Sequence, residues 1–186
     1  MSKDGQQDKF RLGFLTEIRI GERGYVGGLL VTNHLGRPLE FQCTAPVKPN
    51  RTQEILYGPT LETFLLAELI GRTLVEKIGV KPHLVLVERE ELLELRRHIN
   101  VPVACLVESL PSDQAGIGLG RQSVIWHSEF KDDGTTIKEG TKCITADADL
   151  SEPFQRVRDA LSEALGTGSP PQTPTANPAP TNRDAA

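Results

Sequence analysis

From Phe10 to Ile20 apolar and polar side chains alternate. Phe10, Leu12, Phe14, Ile18 and Ile20 share one face with Thr16, while Arg11, Leu15, Glu17 and Arg19 take the other. A period of two with one mainly polar face predicts a half-buried β-strand. The turn Gly21–Gly24 leads to a second strand over Tyr25–Thr32, where Gly27 and Gly28 point to a bulge or a close backbone approach. After the turn-forming run from Asn33 to Pro38, a third strand over Leu39–Val47 completes an antiparallel meander.

The period then changes. A short helical stretch, RTQEILYG, precedes a main helix that starts near Pro59 and stops at Gly79. Its apolar residues, from Leu61 to Ile78, lie almost all round at 100° per residue, so most of its sides should be covered. Leu84–Val87 is continuously apolar, as in a strand buried on both faces of a parallel sheet. REELLELRRHI predicts a short helix with acids in its first turn and bases in its last, and NVPVACLVES predicts another strand.

Further on the pattern is weaker. LPSDQAGIGLGRQ reads as a glycine-rich loop, Ser123–Phe130 as a strand, KDDGTT as a turn and Ile137–Thr145 as a weak strand. Leu150–Leu165 is helical through Phe154, Val157, Leu161 and Leu165, with Gly166 as its stop. The whole predicts one mixed α/β domain: a three-stranded antiparallel meander, then helix, strand, helix, strand, then a strand and helix extension.

Composition places limits on function. With 38% hydrophobic and 25% charged residues, 186 residues are enough for one core. This core is assigned to residues 10–166, flanked by a flexible N-terminus at 1–9 and a tail at 167–186 whose Pro, Thr and Ala content predicts disorder. The net charge of −4 gives no general attraction for nucleic acid or an anionic membrane. The polar start lacks an apolar signal segment and no apolar run approaches membrane-spanning length, so a cytoplasmic protein without membrane contact is expected. Cys43, Cys105 and Cys143 are too far apart for a CxxC site and predict reduced thiols.

The element order resembles that of the ribonuclease H-like superfamily over about Phe10 to Glu108. TEIRIGERGYVGGLLVTNHLGRPLEF looks like its opening hairpin and third strand, and KPHLVLVE with NVPVACLVES looks like the later parallel pair of endonuclease V. The resemblance implies carboxylates on the first strand, on the main helix and at the end of the fourth strand, holding magnesium ions for phosphodiester hydrolysis. Matching positions are Glu17, then Glu54, Glu62 or Glu68, then Glu88; the set adopted is Glu17, Glu68 and Glu88. The superfamily carries Asp on its first strand where this chain has Thr16 followed by Glu17.

Each acid also has a plainer reading. Glu17 can pair with Arg11 and Arg19 on a solvated face, and Glu88 can complement the dipole of the helix that follows. Glu68 falls within the apolar stripe, where a buried carboxylate needs a partner, and an arginine is expected. GIGLG precedes a strand rather than a helix and so lacks a phosphate-binding context. His34, His83, His98 and His127 show no metal-ligand spacing, and Asp147 and Asp149 read as turn and cap residues.

These observations favour a noncatalytic binding or assembly module with a protein partner or small ligand and no cofactor, nucleic acid not being favoured. The alternative is a divalent-metal-dependent nuclease with an all-glutamate site. A third possibility is a profilin-like sensory module, in which Leu84–Val87 would pair antiparallel.

Overall fold

The computed structural model describes residues 10–166. The expectations for 1–9 and 167–186 lie outside the described residues. Strands β1 (Arg11–Arg19), β2 (Tyr25–Asn33) and β3 (Pro38–Cys43) form the predicted meander, followed by α1 (Arg51–Tyr57). The main helix has three stretches: α2 (Leu61–Thr63), a π-helical stretch (Phe64–Gly71) and α3 (Arg72–Lys77). Next come β4 (Leu84–Val87), a 3-10 helix (Glu90–Arg97), β5 (Val103–Val107), β6 (Gly116–Leu119), β7 (Gln122–Trp126), α4 (Asp133–Gly140) and α5 (Glu152–Ala164).

The seven strands make one sheet in the order β3-β2-β1-β4-β5-β7-β6. β1 pairs antiparallel with β2 and parallel with β4, and β4 pairs parallel with β5. The parallel β1–β4 pair rules out the profilin-like arrangement. β1 is therefore central. It is buried on both faces from Leu12 to Thr16, rather than half-buried as the alternation suggests.

Two apolar layers cover the sheet. On one face the main helix and the 3-10 helix place Leu66, Ile70, Leu74 and Leu95 against Leu15, Leu29, Val85 and Val87. On the other, Phe154, Val157 and Leu161 of α5 pack with Leu12, Phe14, Leu84 and Leu86. Phe14 and Phe154 meet edge to face with centroids 5.3 Å apart. Gly27 and Gly28 permit both approaches, because a Cβ at Gly27 would overlap Ile70 and one at Gly28 would press on Val157.

Beyond β5 the chain departs from the expected elements. GIGL forms β6, and the run read as a turn and a weak strand is α4 with a 3-10 turn at Thr141–Cys143. The tie that holds α4 is distant in sequence. Arg96 donates to both carboxylate oxygens of Asp133, at 2.7 and 3.2 Å, and stacks on the Phe130 ring at 4.3 Å. Among the described residues no helix is long and apolar enough to cross a membrane.

Candidate functional site at the ends of β1 and β4

In a parallel pair, side chains in register point to the same face, and the face alternates at each residue. The register Leu12 to Leu84, Gly13 to Val85 and Phe14 to Leu86, carried on by two residues, sets Thr16 beside Glu88 and Glu17 beside Arg89. The contacts agree. Thr16 Oγ1 donates to Glu88 Oε2 at 3.2 Å, on the α5 face, where Arg158 also pairs with that oxygen. Arg89 Nη1 donates to Glu17 Oε1 at 3.0 Å on the main-helix face, and to Glu62 Oε1 at 2.9 Å. Glu91 Oε2 stands 3.7 Å from Arg89 Nε.

The pleat thus sends two of the three adopted carboxylates to opposite faces at one end of the sheet. The third is elsewhere. Glu68 lies 3.7 Å from the His98 ring and its side chain is 44% exposed, so the expected buried pairing with an arginine is not found. The reason is the π-helical stretch. Its wider turns break the 100° step on which the predicted stripe depends, and both Glu68 and Leu69 come out of the buried face. Glu62 takes the place on the main-helix face that Glu68 was expected to fill, and Glu54 pairs with Arg51 on the surface. Glu68→Gln should therefore shift unfolding free energy by no more than about 0.5 kcal/mol, measured by urea denaturation.

Glu17 is the most desolvated acid of the group, its side chain only 11% exposed. Burial pushes its pKa up; the hydrogen bond and charge of Arg89 oppose this, and the neighbouring Glu88 and Glu62 add to it. For Arg89, burial disfavours the charge, but the hydrogen bonds to Glu62 and Glu17 and the charges of both outweigh it, and its pKa is raised. Beside Glu62 a groove opens between the β1–β2 turn and the start of the main helix, lined by Arg19, Tyr25, Lys48, Pro59, Leu61 and Leu65.

The other candidates have structural roles. His83 accepts from the Arg11 backbone and stacks on Phe10, and His127 contacts Glu94. Asp149 accepts from the Ser151 backbone and hydroxyl at the start of α5. Among the described residues no group of three His, Cys, Asp or Glu side chains converges as a metal site. Carboxylate oxygens suit magnesium, but these ones do not gather around a common point, so the residues present do not fit a resident divalent ion. The arginines at this site were missed in the sequence. Arg89 could have been found by carrying the alternation one residue past Glu88, whereas Arg158 lies 70 residues from its partner and left no local signal.

The strand order β3-β2-β1-β4-β5, with a meander feeding a parallel pair and helices on both faces, is a ribonuclease H-like mixed α/β fold. The chain is similar to human endonuclease V, with 13% identity, a TM-score of 0.51, and coverage of 88% of this chain and 91% of that one. Its similarity to the catalytic domain of human endonuclease V has a TM-score of 0.49 at 12% identity, covering 90% of each chain. For Ciona intestinalis endonuclease V in complex with inosine-containing DNA, the TM-score is 0.46 at 10% identity, covering 83% of this chain and 86% of that one. Comparison with protein-family models and with curated proteins found no match. At these identities the likeness establishes the fold. The likeness to human endonuclease V stands against the expected noncatalytic module with a protein or small-molecule partner, and favours the nuclease alternative. Net charge does not describe this end of the sheet, where Arg89, Arg158 and Lys48 lie among the acids they pair with, Glu17, Glu62, Glu88 and Glu22.

Proposed function

We propose that the chain is a nuclease whose site is the carboxylate and guanidinium cluster at the C-terminal ends of β1 and β4. The observation that carries this reading is the meeting of Thr16, Glu88 and Arg158 there, beside Glu17, Arg89 and Glu62, on a fold shared with human endonuclease V. Ligands of open α/β sheets bind beyond the carboxyl ends of the strands. The partner is nucleic acid, and in the groove Arg19 and Lys48 are the phosphate donors and Tyr25 the ring for a base, set among Glu22, Glu54 and Glu62.

The residues divide the work by their chemistry. Arg158 and Arg89 are the donors for phosphate oxygens, since a guanidinium matches that geometry. Glu88, oriented by Thr16, is placed to accept the proton of an attacking water. Glu17 leaves the sheet on the opposite face, so its part is to hold the Arg89 guanidinium in place rather than to meet the same phosphodiester.

The test is incubation with single- and double-stranded DNA and RNA, inosine-containing DNA among them, in magnesium, manganese or chelator. Glu88→Gln should lower cleavage by about 100-fold or more without loss of folding. Absence of cleavage of every substrate under all three conditions would remove the reading.

A further inference from the structure

We infer that two guanidinium groups stand in this chain where a divalent cation would have to sit, Arg158 at Glu88 and Arg89 between Glu17 and Glu62. The site, as folded, carries its own cations and holds no resident metal. The inference concerns the site of the proposed nuclease and rests on that reading only for the importance of the place.

Three observations lead to it. First, the pleat parts the acids. Glu17 and Glu88 are offset by one residue across the β1–β4 register, so their side chains leave the sheet on opposite faces. Second, the group that does share a face with Glu88 is a hydroxyl. Thr16 is neutral and spends its proton on Glu88 Oε2, so it adds no negative charge with which to bind a cation. Third, one oxygen of each carboxylate is already engaged by a guanidinium. Glu88 Oε2 accepts from both Thr16 and Arg158, and a single nitrogen, Arg89 Nη1, gathers Glu17 Oε1 and Glu62 Oε1.

Neither arginine is a loose surface chain. Arg89 stands two residues past the end of β4 and reaches three carboxylates, those of Glu17, Glu62 and Glu91. Arg158 projects from α5 between Val157 and Leu161, both fully buried, so the helix cannot shift without opening the core. A magnesium or manganese ion brought to Glu88 would have to displace a guanidinium that is already charge-matched, and would find a single carboxylate on that face, with the rest of its shell left to water.

The arrangement implies that a metal site can be built with two changes. Thr16→Asp places a second carboxylate on the face of Glu88, and Arg158→Gln removes the competing cation. The experiment is calorimetric titration with manganese in the absence of nucleic acid, with magnesium as a second probe. The wild-type chain should show no saturable binding up to low millimolar concentration. The Thr16→Asp/Arg158→Gln chain should bind manganese at least about tenfold more tightly than the wild type, with a matching manganese-dependent rise in Tm. If the double variant does not fold, Arg158→Gln alone should still show a manganese-dependent rise in Tm that the wild type lacks.

Saturable manganese binding to the wild type that Glu88→Gln abolishes would overturn the inference, as would a folded double variant that binds no better than the wild type. Cleavage is scored apart. A chain that cuts nothing, yet gains manganese binding in the double variant, leaves this inference standing and sinks the nuclease reading; a wild type that cuts only with manganese held by Glu88 does the reverse.

Discussion

Replacing Asp133 with alanine should destabilise the protein by about 3 to 5 kcal/mol, the cost of leaving a buried guanidinium without its counter-charge. Asp133 is 8% exposed and Arg96 17%, so water cannot take over the lost contacts. Arg96 is also fixed in place by its donation to the Ile99 carbonyl and its stacking on Phe130, and cannot swing out to solvent cheaply. Urea denaturation of Asp133→Ala measures the cost. The double change Arg96→Met with Asp133→Ala should recover part of it, because the uncompensated charge is then gone. A loss below about 1 kcal/mol for the single change would mean that Arg96 relaxes into water, and that α4 is held by Ile137 and its apolar neighbours alone.

Gly27→Val should cost about 3 kcal/mol or more, at the upper end of what overpacking does in a closed core. A Cβ at this position meets Ile70 Cγ2, a methyl on a β-branched side chain that has little freedom to turn away, and Leu74 Cδ1 follows at 3.3 Å. The helix must then lift from β2 or the strand must bend. Glu62 rides at the start of the same helix, so its contact with Arg89 should loosen as well. Thermal unfolding gives the stability change. A Tm within about 2 °C of the wild type would show that the helix has room to retreat.

Much of the first half of the fold was legible in the residues. The continuous apolar run Leu84–Val87 matched a strand covered on both faces, and the glycine pair in β2, read as a bulge or a close backbone approach, is where Ile70 and Val157 come near. Later elements were not legible, for physical reasons. β6 has two glycines among its four residues and little side chain to show a period, while α4 begins Asp-Gly-Thr-Thr and buries just Asp133 and Ile137. Such segments are shaped by partners far away in sequence, Arg96 for α4 and β7 for β6. At the site, Glu17 and Glu88 could be assigned to strand ends, but their separation follows from register and pleat together. Glu68 was misplaced because a regular 100° step was carried through a stretch that does not keep it.

That stretch has a consequence for how the chain could change by insertion and deletion. A π-helical segment is a helix holding a residue more than an α-helical path needs. Loss of one residue between Phe64 and Gly71 would let the segment return to α-helical bonding without breaking the helix. The residues on either side would then keep nearly the orientation they have, because one residue fewer at the α-helical step turns the chain about as far as the present stretch does at its smaller step. Glu62 would stay at Arg89, and Pro59 and Leu61 in the wall of the groove. This segment is therefore the place where the helix can lose a residue and still present the same acid to the strand ends, whereas a loss in the α-helical turn before it would carry Glu62 away.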